Sequence, residues 1–377
     1  MKRVRTTMIF QPQPVMTYHQ KMQRSIMAMR IFRLLLLLII VSCKGDSKPS
    51  DGLTNNYHLS LESDLLDSNY IKTIENFYET GKEGYLIGAD SISIYYKVFE
   101  QKLPTSAIVI SSGRTEAAIK YKELIYDLYQ NGYSVYIHDH RGQGLSGRMT
   151  DDPDMGFVKD FQYYIDDMKE FYDRFIKPRA YEHTFLLAHS MGGAIGMTYL
   201  EQFPEDFDAA AFSSPMLGLK PPLCTVVKVF DRDVPRYAIG QHSYNDDSSG
   251  FEDNALTGSK IRYDRMQAAY TLVPEARLGG VTYTWVHESC EQFAVLFENI
   301  DHIETPFLLF SAENESIVST SAHRNFMEKA KALGKDCQAY DIAGGRHELF
   351  IEKDQQRLET LNTTLDFFES HQRGKSK

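Results

Sequence analysis

Short apolar runs recur along the chain and alternate with longer amphipathic stretches. Strands that are buried on both faces of a parallel sheet are apolar at almost every position, so each run predicts such a strand. The runs lie at residues 107–110, 133–138, 185–187, 209–212, 305–310 and 338–342. The stretches at 117–130, 160–176 and 354–370 have the apolar spacing of helices. Strands that alternate with helices predict an α/β fold with a doubly wound, mostly parallel sheet.

Two parts of the chain depart from this alternation. Residues 91–99 alternate apolar and polar side chains, which is typical of an antiparallel or edge strand. Residues 214–301 are far too many for one connection within a compact domain, and they contain helical patterns around 262–270 and 288–297. We interpret them as an inserted, largely helical cap. The core of the fold is then formed by residues 57–213 and 302–377.

The N-terminal region has the pattern of an export signal. Arg30 and Arg33 precede an apolar run at 34–41 that is too short to span a bilayer as a mature helix. The run ends in Ile40-Val41-Ser42-Cys43, which resembles the bacterial lipobox, where the cysteine is lipidated and becomes the new N terminus. We therefore expect a lipoprotein-type signal peptide at 1–42.

Lipidation at Cys43 predicts a location for the protein. The polar residues 43–56 are rich in Ser, Gly and Asp and predict a tether. A covalent lipid would hold the folded body beside a membrane without a transmembrane helix, so we expect a membrane-anchored lipoprotein of the bacterial cell envelope, facing the periplasm or the exterior. An uncleaved signal anchor is the alternative, and translation from Met27 or Met29 is left open.

Composition and charge limit the partners. The first 42 residues hold seven Lys/Arg and no acidic residue, which leaves 34 basic against 51 acidic residues in the remainder, a net charge of −17. Such a balance argues against a nucleic-acid partner. The four cysteines, Cys43, Cys224, Cys290 and Cys337, lie far apart, so no zinc site or redox pair is predicted. With Cys43 lipidated, three remain, an odd number that cannot form a complete disulfide framework.

The candidate nucleophile is Ser190. It follows the apolar run at 185–187 within Ala188-His189-Ser190-Met191-Gly192, a G-x-S-x-G elbow with alanine in the first small position. At such a strand–turn–helix junction the serine hydroxyl projects from the sheet, and small residues allow strand and helix to pack closely. The motif alone is barely distinguishable from an ordinary strand–helix joint, so its meaning depends on the residues elsewhere in the chain.

A serine nucleophile needs a base, and the base needs an orienting acid. In a sheet of this kind the chain order is serine, acid, histidine, with the last two on loops after later strands. His347 follows the last predicted strand on a Gly-rich loop. Glu315 precedes Ser316-Ile317-Val318, a typical acid–x–aliphatic–aliphatic sequence, and is the predicted acid, with Glu313 in reserve.

Two backbone N–H groups should bind the oxyanion. We expect one from Met191, directly after the nucleophile, and one from Arg114, in the loop after the strand at 107–110. Glu116 is interpreted as a brace for that loop and His189 as a packing or bracing residue. The loop residues Asp139, Arg141 and Gly144 are expected to shape their own loop rather than to take part in chemistry.

These residues resemble the serine α/β-hydrolases of the monoacylglycerol lipase and lysophospholipase group, over residues 85–370. The resemblance rests on Ser112-Gly113-Arg114, on the segment from Asp139 to Arg148, on Ala188 to Gly193, on Ser214 to Gly218, on Gly279 to Val286, and on Glu315 with Arg346-His347-Glu348. It implies a monomeric hydrolase that cleaves acyl esters of glycerol or glycerophospholipids, with the cap forming the acyl site. Lipases of the group have His-Gly at the positions of Ser111-Ser112 and Asp at the position of Glu315. Neither difference removes a required chemical role.

The sequence therefore predicts an enzyme, a carboxylic ester hydrolase that works through an acyl-enzyme on lysophospholipids or monoacylglycerols and needs no metal or cofactor. A non-lipid carboxylesterase or an acyltransferase is the main alternative. A lipoprotein that binds lipid without turnover is the alternative from another class.

Overall fold

The computed structural model describes residues 54–103, 105–227, 234–245 and 250–372. The predicted signal peptide and the lipidation site at Cys43 lie outside the described residues, as does most of the predicted tether. The described chain forms an eight-stranded sheet in the order β1-β2-β4-β3-β5-β6-β7-β8. Its strands are β1 (Lys82–Ile87), β2 (Ser93–Phe99), β3 (Ser106–Ser111), β4 (Ser134–His138), β5 (His183–His189), β6 (Ala209–Ser213), β7 (Phe307–Ala312) and β8 (Cys337–Ile342).

Helices flank the sheet and fill the connections between strands. The α-helices are α1 (Ser68–Tyr78), α2 (Lys122–Gln130), α3 (Gln162–Phe171), α4 (Met191–Gln202), α5 (Leu223–Val226), α6 (Lys260–Leu272), α7 (Tyr283–Glu298), α8 (Thr320–Ala332) and α9 (Asp354–Gln372). Short 3₁₀ turns lie at Asp64–Leu66, Ala89–Ser91, Ala118–Tyr121, Lys177–Arg179, Phe251–Asp253, Pro274–Ala276, Ile300–His302 and Leu349–Ile351. No helix among these described residues is both long and apolar enough to cross a membrane.

Strands β3 to β8 run parallel, whereas β2 pairs antiparallel with both β1 and β4. The predicted α/β class with a mostly parallel sheet is confirmed. Side chains that alternate along β3 show why its sequence is continuously apolar: Ala107 and Val109 pack into the core on one face of the sheet, and Ile108 and Ile110 into the core on the other.

The antiparallel interpretation of residues 91–99 is confirmed, but these residues do not form the edge of the sheet. The edge strand is β1, which pairs with β2 on its outer side. Tyr85 and Ile87 of β1 are 57% and 62% exposed, and only Leu86 between them is fully buried. Its sequence therefore lacks the clear apolar pattern that identifies an inner strand.

Two predicted helices differ in detail from those observed. The helix expected at 117–130 begins as a 3₁₀ turn, Ala118–Tyr121, before α2. The helix expected at 160–176 is α3 followed by a π-helical turn, Tyr172–Ile176. The apolar side chains of the first helix pack into the core on one face of the sheet, and those of the second pack into the core on the other face.

The segment between β6 and β7 contains α5, α6 and α7, in agreement with its helical patterns. It also contains a disulfide that the sequence interpretation did not find, between Cys224 of α5 and Cys290 of α7. The cysteines therefore do include a bonded pair, with Cys337 free and buried. The odd count was compatible with one bridge, and wide spacing gives no indication of which cysteines meet in the fold.

Candidate active site

The nucleophile turn joins β5 to α4, with Ser190 between them. Ser190 has φ of +50° and ψ of −119°, a conformation that costs a side-chain-bearing residue free energy. Two hydrogen bonds hold it there: its N–H donates to the carbonyl of Ser213 over 3.1 Å, and its carbonyl accepts from the N–H of Met216 over 2.8 Å. The end of β6 and the loop after it therefore fix the turn that presents the serine hydroxyl.

Close packing at this turn explains its small residues. A Cβ atom on Gly192 would lie 2.2 Å from the backbone oxygen of Ser111 and 2.4 Å from that of Ser112. A Cβ atom on Gly193 would lie 2.5 Å from the Pro215 side chain. Ala188, which replaces the first glycine of the motif, is fully buried within β5. The motif thus reflects the approach of α4 to the ends of β3 and β6.

The structure brings Ser190, His347 and Glu315 into one hydrogen-bonded chain. His347 Nδ1 lies 2.7 Å from Glu315 Oε2, and His347 Nε2 lies 3.0 Å from Ser190 Oγ. Because a carboxylate only accepts, Nδ1 carries the proton, which leaves Nε2 free to accept the serine hydroxyl proton. This is the tautomer that a general base requires.

Glu315, rather than Glu313, is the acid that contacts the histidine. Its Oε1 accepts the N–H groups of Ile317, over 2.7 Å, and Val318, over 3.1 Å. Burial raises the pKa of this carboxyl, but the hydrogen bond and charge of His347 and the two N–H donors outweigh burial and lower the pKa to about 2. Glu313 is exposed and accepts the Gly344 N–H over 2.7 Å.

The two predicted oxyanion donors flank the same site. Met191 is the first residue of α4, where N–H groups lack intrahelical acceptors. Arg114 lines a cavity together with Ser190. Its guanidinium is used elsewhere, since Nη2 donates to the Gly279 carbonyl over 2.5 Å and the group lies over the Trp285 ring. Burial lowers the pKa of Arg114 to about 10. The backbone roles of both residues as oxyanion donors stay predictions.

A buried charge cluster, Glu116, Lys120 and Glu348, joins the loop after β3 to the loop of His347. Lys120 Nζ donates to both carboxylates, and Glu116 also accepts the Gly113 N–H. Glu116 thus braces its loop as expected. The sequence predicted no role for Lys120, and it gave Glu348 only as part of the Arg346-His347-Glu348 motif, without a role.

His189 packs beside this cluster. Its Nδ1 donates to the Ser213 carbonyl over 3.0 Å, and its ring centroid lies 4.8 Å from that of His347. Burial lowers the pKa of His189 to about 3, so the ring is neutral. Ligand atoms of Glu116, His189 and Glu348 lie within 4.8 Å of one another, a spacing suited to a metal ion, but the Lys120 ammonium already bonds both carboxylates.

The loop after β4 is held by its own side chains. Asp139 accepts the N–H groups of Ala118 and Leu145, each over 2.7 Å. Gly144 has φ of +57°, and a Cβ atom there would lie 2.1 Å from Asp139 Oδ2. Arg141 makes a buried two-point ion pair with Asp167, at 2.7 Å for each bond. The expectation that these residues shape the loop agrees with these contacts.

A cavity of about 350 Å³ opens at Ser190 and His347. Such a volume is within the range of sites that bind small molecules. Its lining is largely apolar and comes mainly from the segment between β6 and β7 and from the loop after β7: Met216, Leu219, Leu223, Ala238, Ile239, Val281, Trp285, Val286, Ile317 and Val318. An acyl chain could therefore lie against carbon atoms while its carbonyl reaches the serine.

Comparison with known proteins agrees with this geometry. Residues 102–354 match the model of the serine aminopeptidase S33 family. The chain is 35% identical over 312 residues to lysophospholipase L2 of Escherichia coli K12, covering 79% of this chain and 90% of that enzyme. It is 24% identical over 269 residues to human monoglyceride lipase, covering 71% and 84% of the two chains.

Among solved structures, a monoglyceride lipase from Saccharomyces cerevisiae in complex with a substrate analog shares the fold. Its TM-score is 0.61 at 19% identity, with 77% of this chain and 95% of that one covered. The α/β-hydrolase fold and the resemblance to lysophospholipases and monoacylglycerol lipases are confirmed. The chain belongs to the serine aminopeptidase S33 family of serine hydrolases.

Proposed function

We propose that this protein hydrolyses acyl esters of lysophospholipids or monoacylglycerols through an acyl-enzyme. The observation that carries the proposal is the Ser190–His347–Glu315 hydrogen-bonded chain at an apolar cavity. Relatives that are named lysophospholipase and monoglyceride lipase support the substrate class.

The geometry defines the acylation step. Ser190 Oγ attacks the ester carbonyl as its proton moves to His347 Nε2, and the resulting imidazolium is stabilised by the Glu315 carboxylate. The carbonyl oxygen becomes an oxyanion, for which the N–H groups of Arg114 and Met191 are the proposed donors. His347 then protonates the departing alcohol oxygen as the carbon–oxygen bond breaks, leaving an acylated serine.

Deacylation repeats the same steps with water. His347 accepts a proton from the water as its oxygen attacks the acyl carbonyl, and returns the proton to Ser190 Oγ when the fatty acid leaves. The net reaction consumes one ester and one water and forms one fatty acid and one alcohol. Each proposed step uses side chains and backbone groups of this chain.

The test uses the full-length protein with lysophosphatidylcholine, a monoacylglycerol and a short soluble ester, together with a fluorophosphonate probe. We expect release of fatty acid from the lipid substrates and labelling of the wild type. Ser190→Ala should abolish both, while Ser321→Ala, at an exposed position in α8, should change neither. Equal labelling of Ser190→Ala would refute the assignment, and turnover of the short ester alone would favour a non-lipid esterase. Transfer of the acyl group to added glycerol instead of water would favour an acyltransferase.

We also propose that the protein is a membrane-anchored lipoprotein of the bacterial cell envelope. The Cys43 motif supports the anchor, and the Cys224–Cys290 disulfide supports an oxidising compartment, because cytosolic thiols are kept reduced. Cells fed a labelled fatty acid should incorporate it into the wild type and not into Cys43→Ser. Equal incorporation in the two proteins would show that Cys43 is not the lipidated residue.

A further inference from the structure

The disulfide joins two segments that both line the substrate cavity. Cys224 and Cys290 are separated by 66 residues in sequence and join α5 to α7. Leu223, the residue before Cys224, lines the cavity. Leu219, in the segment that leads to α5, lines it as well. On the other side of the bridge, α7 contributes Trp285 and Val286 to the same lining. The bridge therefore connects two segments that each form part of the cavity.

The two connected segments differ in how firmly the rest of the fold holds them. Helix α5 has only four residues and none of them is buried. Its backbone hydrogen bonds are local, such as those from the N–H groups of Thr225 and Val226 to the Pro222 carbonyl. A helix this short is not stable on its own, because its few hydrogen bonds do not offset the cost of nucleation.

Helix α7 is anchored at several points. The Thr282 hydroxyl accepts the Trp285 N–H at its N terminus, over 3.1 Å. The Gln292 side chain donates to the Thr198 hydroxyl of α4 over 2.9 Å, at a buried position. Because α4 begins directly after Ser190, α7 is fixed relative to the nucleophile. The disulfide bonds α5 to this fixed helix and so restrains the position of α5 as well.

We propose that the Cys224–Cys290 disulfide positions α5 as a wall of the acyl cavity and thereby sets the preference of the enzyme for long acyl chains. Neither sulfur needs to touch the substrate, so both cysteines are positioning residues. Without the bridge, Val227 still holds the C-terminal end of α5 in the core, but the helix can shift relative to the cavity while Ser190, His347 and α7 stay in place. A long acyl chain then loses contact with Leu223, whereas Leu219 stays paired with Val318 and a short ester, which needs only the reacting groups, loses nothing.

The size of the effect follows from the contacts that are lost. Burial of one leucine side chain is worth roughly a ten-fold to hundred-fold difference in binding. Leu223 is already 46% exposed, so the lower end of that range applies. We expect kcat/KM for a sixteen-carbon ester to fall about ten-fold, mostly through KM, with less than about a two-fold change for a two-carbon ester.

The test compares the wild type with the Cys224→Ser/Cys290→Ser double variant on a series of p-nitrophenyl esters of increasing acyl length. Cys337→Ser is the matched control, because Cys337 is a free, buried cysteine in β8 outside the cavity lining. It should keep the wild-type chain-length profile. Dithiothreitol supplies a second route to the same state: it delivers two electrons and two protons, gives two thiols and is oxidised to its cyclic disulfide. Both bridged cysteines are partly exposed, so the reagent can reach them.

Treatment of the folded wild type should reproduce the profile of the double variant and should not change that variant further. Loss of the bridge with an unchanged chain-length profile would refute the proposal. An equal loss on all chain lengths would also refute it, because that result reports general damage.

This inference rests on the proposed function, so it needs a readout that does not require turnover. Labelling rates with a short-chain and a long-chain fluorophosphonate provide one. If the wild type labels at Ser190 but hydrolyses no ester, the proposed function fails. The ratio of the two labelling rates still tests whether the disulfide positions α5 in the cavity wall. A ratio that is the same with and without the bridge refutes the positioning role.

Discussion

Replacing Glu315 by glutamine should reverse the tautomer of His347. In the wild type, Oε1 of Glu315 accepts the N–H groups of Ile317 and Val318, and Oε2 accepts the proton of His347 Nδ1. A glutamine has one oxygen and one NH₂ group. Its oxygen is held by the two backbone donors, since an NH₂ group cannot face them. The NH₂ group is then directed at Nδ1, which can accept it only without a proton.

The reversed tautomer should lower kcat strongly, because it removes the general base. With Nδ1 unprotonated, the neutral ring carries its proton on Nε2 and cannot accept the proton of Ser190. In serine proteases, forcing the wrong tautomer in this way reduces kcat by about four orders of magnitude, which is about 5 kcal/mol of transition-state stabilisation. We expect a loss of three to four orders of magnitude in kcat for Glu315→Gln on a short ester, where product release is least limiting, with roughly unchanged KM.

The matched control is Glu313→Gln, two residues away in the same loop. Glu313 is exposed and accepts the Gly344 N–H, not a proton of His347, so this variant should keep nearly full activity. Both proteins should have wild-type near-ultraviolet circular dichroism, which separates a chemical defect from misfolding. The reasoning is refuted if Glu315→Gln keeps more than about a tenth of the wild-type kcat, or if Glu313→Gln loses as much as Glu315→Gln.

The wild-type pH dependence offers a second check on the same carboxyl. A folded pKa of about 2, below the ordinary 4.5, means that ionised Glu315 stabilises the folded state above pH 4.5 and that this contribution is lost as pH falls towards 2. Activity lost above about pH 4 is therefore not caused by protonation of Glu315. Glu315→Gln should remove this part of the acid sensitivity of the melting temperature.

Three further predictions concern packing and buried charge. Gly192→Ala should prevent folding or abolish probe labelling, because its Cβ would lie 2.2 Å from the Ser111 backbone oxygen; a stable, labelled variant would contradict the close packing. Lys120→Met leaves two carboxylates buried without their cation and should cost about 3–5 kcal/mol in the free energy of unfolding by urea. Lys97→Met, whose carboxylate partner is 54% exposed, should cost clearly less, and equal losses would contradict the distinction. Burial and a nearby acidic side chain raise the pKa of Glu201 to about 8, so its ionisation destabilises the folded state as pH rises from 4.5 to 8. Glu201→Gln should therefore melt at a higher temperature than the wild type near pH 8.5, with the difference vanishing near pH 4.5, and a constant difference would show that Glu201 does not titrate in this range.

The contact of Glu315 with His347 was predictable because the local geometry of this loop is reflected in its local sequence. Glu315 turns back to accept the N–H groups two and three residues later, and Val318 is buried behind it. The acid–x–aliphatic–aliphatic pattern thus reflects a carboxylate that accepts the N–H groups of its own turn, followed by an aliphatic side chain that is buried in the core. The apolar strand runs were predictable for a similar reason, since burial on both faces constrains every position.

Interactions between distant segments produce no such local sequence pattern. Lys120 and Glu348 are 228 residues apart, and Cys224 and Cys290 are 66 residues apart. Each partner follows ordinary local rules, so only the folded sheet shows that they meet. The polar edge strand β1 was missed because its outer face is solvated and its alternation is weak.

The turn that holds the nucleophile and the wall that holds the substrate share one short segment. Ser213, the last residue of β6, accepts the Ser190 N–H, and Met216 in the loop that follows donates its N–H to the Ser190 carbonyl. His323 of α8 fixes this segment by donating to the Pro215 carbonyl over 2.6 Å. A few residues later the same segment supplies Leu219 to the cavity. Because the strained serine persists only while these bonds persist, a change that displaces this segment should alter both the rate of acylation and the acyl-chain preference. Release of α5 beyond it should alter the preference alone, which is why the disulfide, and not the nucleophile turn, is where substrate length can be tuned without loss of chemistry.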